Sequence, residues 1–309
     1  MITKKAENSS NCARPILSFP SARAAFGALL SALNIEGGRV LLPAYIGWSP
    51  REGSGVFDPI AALNLDYSFY ALDESLHIDL DSLRAELQTG RVRVFVLIHF
   101  FGFVDPSFAD AVKIARDHGV FILEDEAHAM LTDLVGGICG RLGDACIYSF
   151  HKMLPVESGG ALVLNDPASP LIEKLSAATR STLQICDYDL IGIAAQRLAN
   201  SLLLDRLVRD LAPGVEPLFG SPRSGEVPQT YPVLIHDVSR DELYNQMNAA
   251  GFGVVSLYHT LIAEISPARF PATAKISRHI MNLPVHQDAV AGELELMVSA
   301  LASLTRARV

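Results

Sequence analysis

Apolar positions in this chain fall into short, continuous runs separated by stretches with helical spacing, and the clearest case lies between Val120 and Asp166. Val120–Leu123 reads as a buried strand, followed by an acidic turn (Glu124, Asp125, Glu126) and His128. A glycine-bearing loop leads to a second strand, Ala145–Phe150, then Lys152, then Gly159 and Gly160 and a third strand, Ala161–Leu164. Upstream, Arg93–His99 is a β-branched and apolar run of the kind covered on both faces in a parallel sheet. Pro106–His118 lies between these strands with the spacing of an amphipathic helix. Strand, helix and strand at this separation make a βαβ unit, which predicts a parallel sheet.

The flanking segments extend the alternation. Ser21 stands as N-cap before AAFGALLSAL, a helical pattern, and Arg39–Leu42 is a short strand ended by Pro43. Residues 56–72 read as helix then strand, and Leu76–Leu87 as a connector with a short helix. Leu171–Leu183 and Leu190–Leu211 are helical by periodicity. Pro213–Pro228 is rich in Pro, Gly and Ser and is the best place for a domain boundary. Beyond it come a strand at Tyr231–His236, a helix at Ser239–Gly251, a strand at Phe252–Leu257, the segment Ile276–Pro284 and a last helix at Ala291–Arg306. The expected organisation is a loose tail over 1–15, a large α/β domain over 16–215 and a small C-terminal α/β domain over 216–309.

Composition narrows the class. The chain has 309 residues, half of them hydrophobic, with 19% charged, which is a compact globular protein with a large core. A net charge of −9 argues against a nucleic-acid surface. No apolar run is long enough to span a bilayer, no basic amphipathic helix suggests a membrane surface, and the polar start MITKKAENSSNCARP lacks the apolar core of a signal peptide. Cys12, Cys139, Cys146 and Cys186 form no CxxC pair, so reduced thiols in a cytoplasmic protein are expected. No His/Cys/Asp cluster has ligand spacing along the chain, and no metal site is expected.

The candidate chemistry sits at strand ends, where open α/β sheets bind ligands. Asp125 ends one strand and Lys152 follows the next, a pairing that suits a covalent link between the amine and an aldehyde cofactor. Elimination supports Lys152: Lys4 and Lys5 lie in the tail, Lys113 and Lys174 on helix faces, and Lys275 in the C-terminal part. Ala22 and Arg23 open the first helix, where free amides can approach a phosphate, although taken alone this is an ordinary capped helix. Trp48, the single tryptophan, either stacks on a flat ring or serves core or interface. His99, His259 and His286 are weaker candidates, and His259 has a structural role at least as readily as a substrate contact.

These pieces carry a family resemblance. PSARAAF at 20–26, LLPAY at 41–45, HFFG at 99–102, VFILEDEAHA at 120–129, GDACIYSFHK at 143–152 and GGALVLND at 159–166 occur in register. YPVLI, GFGVVSLYHTL and NLPVHQD follow in the C-terminal part. The chain from residue 16 onward resembles the DegT/StrS-type aminotransferases, fold-type I pyridoxal-phosphate (PLP) enzymes that mostly act on nucleotide-linked keto-sugars. The resemblance implies that Lys152 anchors PLP, Asp125 pairs with the pyridine nitrogen, His128 lies near the ring, Ser149 and Ala22–Arg23 hold the phosphate, and Tyr45 or Trp48 stacks on the ring. It also implies an amino-acid donor such as glutamate, a carbonyl acceptor such as a sugar nucleotide, and a homodimer. Two other readings fit the same residues: a different PLP reaction or a non-sugar acceptor, and a degenerate PLP-binding scaffold. The chain is shorter than is usual for the family, mainly between 166 and 230, and departs from the family pattern in three further places. SFHK is two residues shorter than usual between serine and lysine, Ser158 precedes the double glycine where Glu is common, and the Asn-bearing segment that reaches across the family's dimer has only DYDLIG (187–192) in its place.

Overall fold

In a computed structural model, which describes residues 14–176 and 187–306, the chain builds a seven-stranded sheet and a separate three-stranded one. The large sheet comprises β1 (Ile16–Phe19), β2 (Arg39–Pro43), β3 (Asp66–Tyr70), β4 (Val92–Ile98), β5 (Phe121–Asp125), β6 (Ala145–Ser149) and β7 (Gly160–Leu164), in the spatial order β1-β7-β6-β5-β4-β2-β3. The run from β3 to β6 pairs in parallel, and β7 is antiparallel to both its neighbours. The mostly parallel α/β sheet expected from the apolar runs is therefore present. Parallel pairing sends β4, β5 and β6 out on one edge, so Ile98, Asp125 and Ile147 are in register there.

Helices α1 (Ala22–Leu33), α2 (Phe57–Ala62), α3 (Leu80–Gln88), α4 (Phe108–Asp117) and α5 (Leu171–Ser176) accompany this sheet. The rest of the helix predicted to Leu183 lies outside the described residues. Period-two alternation divides the core. On β6, Ala145 and Ile147 join the apolar cluster around α1, while Cys146 and Tyr148 join one beneath Ala194 of α6 (Leu190–Leu211). The small sheet, β8 (Val215–Pro217), β9 (Thr230–Ile235) and β10 (Ile280–Pro284), is antiparallel in the order β10-β9-β8. It packs with α7 (Arg240–Ala249), α9 (Ala291–Arg306) and the second half of α6 around Leu204, Val208, Met281 and Leu301. A further helix, α8 (Pro271–His279), leads into β10.

Three expectations are corrected. Glu124 and Asp125 are not in a turn but are the last residues of β5, each pairing with both neighbouring strands. Phe252–Leu257 is not a strand. Val255 makes a single bridge to Asn282, and the Asn282 side chain then takes the Leu257 amide at 3.0 Å, ending the ladder, while Gly251 and Gly253 turn the backbone through positive φ. The described end of the expected tail is also held. Arg14 donates to the Gly140 carbonyl and to Asp133, both at 2.7 Å, and β1 follows it onto the edge of β7. Residues 1–13 lie outside the described residues.

Candidate active site

The carboxyl edge of β4, β5 and β6 opens on a cavity of about 620 Å³, within the usual range for small-molecule sites. Among the residues singled out from sequence, Asp125, His128, Ser149, Lys152, Ala22, Arg23 and Trp48 all line it. Tyr45 does not: it is fully buried behind the wall, stacked on Tyr258 at 5.0 Å.

The pleat selects Asp125. Successive side chains on a strand leave opposite faces, so Asp125 reaches the cavity while Glu124, level with Cys146, points to the other side of the sheet. One Asp125 oxygen accepts the Ala127 amide at 2.9 Å. Burial pushes this carboxyl up, while the Ala127 amide, Lys152 and His99 draw it down.

Lys152 follows β6 in a single 3₁₀ turn, Phe150–Lys152. Its Nζ lies 2.8 Å from His128 Nε2, and the other ring nitrogen, Nδ1, accepts the Phe101 amide at 3.3 Å. A neutral imidazole has one donor and one acceptor nitrogen. With Nδ1 accepting, the proton sits on Nε2 and is donated to Lys152, which can receive it only as a neutral amine. Electrostatics agree. Burial, then Lys152 and His151, hold His128 well below its ordinary value, and burial lowers Lys152 against the opposite pull of Asp125 and Glu52. The contacts and the desolvation together favour the uncharged, nucleophilic form of the amine.

Around Ser149 the wall combines a hydroxyl with the start of a helix. Ser149 pairs with Gly160, and a Cβ at Gly160 would lie 2.3 Å from the Ala22 amide nitrogen, so only glycine lets α1 begin against β7. Ser21 caps α1 by accepting the Ala24 amide at 3.1 Å, and Ala22 and Arg23 carry first-turn amides without helical partners. The Arg23 guanidinium is itself engaged, 3.2 Å from Asp58 and bonded to the Glu52 carbonyl. Ser149 Oγ lies 3.3 Å from His151 Nδ1.

Several wall residues have no role assigned from the sequence, among them Glu52, His151 and Tyr258. Tyr258 comes from the segment after α7, holds a positive φ of 60° and sits edge-on to His128 at 5.7 Å. Its aromatic position beside His259 was visible, but nothing local says that this segment folds over the large sheet.

The α/β sheet thus presents an amine, a carboxylate and a helix start around one cavity, a donor set with the chemistry to hold a phosphorylated aldehyde. A profile of the DegT/DnrJ/EryC1/StrS aminotransferase family matches residues 13–184, more than half of the chain, and the chain belongs to that family. It is 35% identical over 122 residues to the spore coat polysaccharide biosynthesis protein SpsC of Bacillus subtilis, covering 38% of this chain and 31% of SpsC. It is 31% identical over 94 residues to the GDP-perosamine synthase of Caulobacter vibrioides, covering 28% and 24% of the two chains. The chain thus spans less than a third of the length of these curated relatives in the matched segments. Across the whole fold it superposes on Spr1654 of Streptococcus pneumoniae, solved in its PLP form, with a TM-score of 0.77, 14% identity, and 95% and 88% of the two chains covered. No helix among the described residues is long and apolar enough to cross a membrane.

Proposed function

We propose that this chain is a PLP-dependent aminotransferase that moves an amino group from an amino acid to a nucleotide-linked keto-sugar. The observation that carries the reading is the pairing of a desolvated Lys152 amine with His128 at 2.8 Å, in the cavity that Asp125 also lines. The donor set fits the cofactor: a primary amine for its aldehyde, a carboxylate for its pyridine nitrogen, and Ser149 with the amides of Ala22 and Arg23 for its phosphate. Bound there, PLP would supply an aldehyde that takes up the amino group and a ring that accepts the electron pair released at the donor's α carbon.

The protein's own residues do the rest. Lys152 anchors the cofactor and, once its amine is free, takes the proton from the donor carbon and returns it one position along. His128, held in one tautomer by the Phe101 amide, orients that amine and lends it a hydrogen bond. Trp48 covers the cavity from the β2 side as the ring-stacking aromatic, and Tyr258 closes it from the C-terminal part. The GDP-linked sugar in one relative's name and the polysaccharide role in another's support a sugar acceptor.

A homodimer with its sites near the interface, working in the cytoplasm, completes the reading. Exposed Ile191 and Leu202 on α6 and the buried free thiol of Cys146 are in keeping with it. Borohydride reduction of the PLP-loaded protein followed by peptide mapping tests the anchor, and a label on the peptide holding Lys152 is expected. Loss of the cofactor's yellow absorbance with glutamate or another amino donor, restored by a nucleotide-linked keto-sugar, tests the reaction. A protein that binds PLP but is bleached by no amino donor would be a scaffold rather than an enzyme.

A further inference from the structure

Beneath the cavity, on the opposite face of β5, three carboxylates are buried together: Glu124, Glu126 and Asp133. Two are balanced. Glu124 accepts the amides of Gly140, Leu142 and Gly143 and bonds His99 Nε2 at 3.1 Å. Asp133 holds Arg14 at 2.7 Å, Arg141 at 3.1 Å and the Tyr148 hydroxyl. Glu126 has no solvent exposure, and neither of its oxygens receives a hydrogen bond from nitrogen or oxygen. A buried carboxylate without such partners is costly: burial, Glu124 and Asp133 push its carboxyl up, and only the Cys139 thiol and Arg14 pull it down.

What faces Glu126 are groups that bind cations. In the tautomer that donates from Nε2 to Glu124, His99 keeps a lone pair on Nδ1, an atom with no hydrogen-bond partner. The Cys139 thiol, a weak donor, stands beside it. His99, Glu126 and Cys139 each offer a ligand atom, and all three lie within 4.8 Å of one another. Tetrahedral zinc, with bonds of about 2.0–2.3 Å, sets its ligand atoms roughly 3.3–3.8 Å apart, so an inward shift of about an ångström closes the site. Positions 99, 126 and 139 come from the end of β4, the end of β5 and the glycine loop, which is why no spacing along the chain points to them.

We propose that His99 Nδ1, Glu126 and Cys139 bind a divalent metal ion of the zinc class, with Glu124 orienting His99 from behind. Imidazole, thiolate and carboxylate together select a borderline-soft ion over magnesium or calcium. The ion is structural: all three ligands are buried, and it ties the loop that carries Cys139 to the ends of β4 and β5, whose other face bears Asp125. A closed site of this kind is filled as the chain folds. The inference is independent of the amino-transfer reading, since it uses no residue of the cavity.

Elemental analysis tests it on full-length protein expressed with added zinc and purified without chelator. About one equivalent of zinc per chain, released to a colorimetric chelator only on unfolding, is expected. Cys139→Ala and Glu126→Gln should each lose the metal. Cys146→Ala should keep it, because Cys146 belongs to a second grouping, with Glu126 and Asp133, that also shares Glu126. Retention by Cys139→Ala with loss in Cys146→Ala overturns the assignment. Should the variants fail to fold, wild-type protein expressed with cobalt decides: a thiolate-to-cobalt charge-transfer band supports the site. Metal-free wild-type protein under both conditions, or a cobalt protein without that band, overturns it.

Discussion

At Lys152 the deciding quantity is how much water the amine loses. Burial lowers its proton affinity while Asp125 and Glu52 raise it, and the His128 contact favours the neutral form. On the proposed reading Lys152→Ala removes both the cofactor anchor and the proton carrier, so kcat should fall by about 10²–10⁴-fold with the fold intact by circular dichroism. His128 gives a stability signature. Its folded value is depressed below the ordinary 6.5, so the unfolded chain binds more protons between the two values. The sign follows: stability declines as pH drops through 6.5 toward the folded value. Melting temperatures of the cofactor-free protein between pH 5 and 7 should fall with acidity, and His128→Gln should flatten that decline (the pH range brackets the ordinary histidine value of about 6.5). Both residues were legible in the sequence because their chemistry is a matter of residue type at a strand end. Glu126 was not, since its lack of a partner is a property of its surroundings.

Among elements, the start of α1 against β7 shapes the end of the cavity that holds Ser149. A Cβ at Gly160 would meet the Ala22 amide at 2.3 Å and the Ser21 backbone at 2.5 Å. Gly160→Ala should therefore push the first turn away from Ser149, destabilise by about 1–3 kcal/mol in urea unfolding, and weaken PLP binding measured by absorbance titration more than it weakens the fold. Removing the cap, Ser21→Ala, should cost about 1 kcal/mol and leave the helix in place. The helix and its cap could be read directly, because Ser21 and the apolar spacing act within one turn. The same local logic failed for Phe252–Leu257. Its apolar residues suit a strand, but Asn282 offers a side chain where a ladder would need backbone, and the segment bends toward Tyr258.

At the scale of the molecule, the C-terminal part completes the site by laying Tyr258 on Tyr45, with ring centroids 5.0 Å apart, and against Phe100 and Phe101. Tyr258→Ala should lower stability by about 2–3 kcal/mol, somewhat less than a fully buried aromatic, and raise KM more than it lowers kcat in donor–acceptor kinetics. A second tie is the crossing of Gly102 by Val227–Gln229, where Gln229 donates to the Phe101 carbonyl at 2.7 Å and a Cβ on Gly102 would lie 2.4 Å from the Val227 carbonyl oxygen. By itself the sequence determined the strands and helices of the βαβ core and the residue types at its carboxyl edge. Period and chemical type are carried by neighbouring residues and need no partner. The tertiary structure decided the rest: that the pleat parts Asp125 from Glu124, that Tyr45 sits behind the wall and Trp48 on it, that β1 joins the sheet, and that His99, Glu126 and Cys139 meet. Those outcomes depend on which distant segments pack together, and packing energy is a property of pairs that are far apart along the chain.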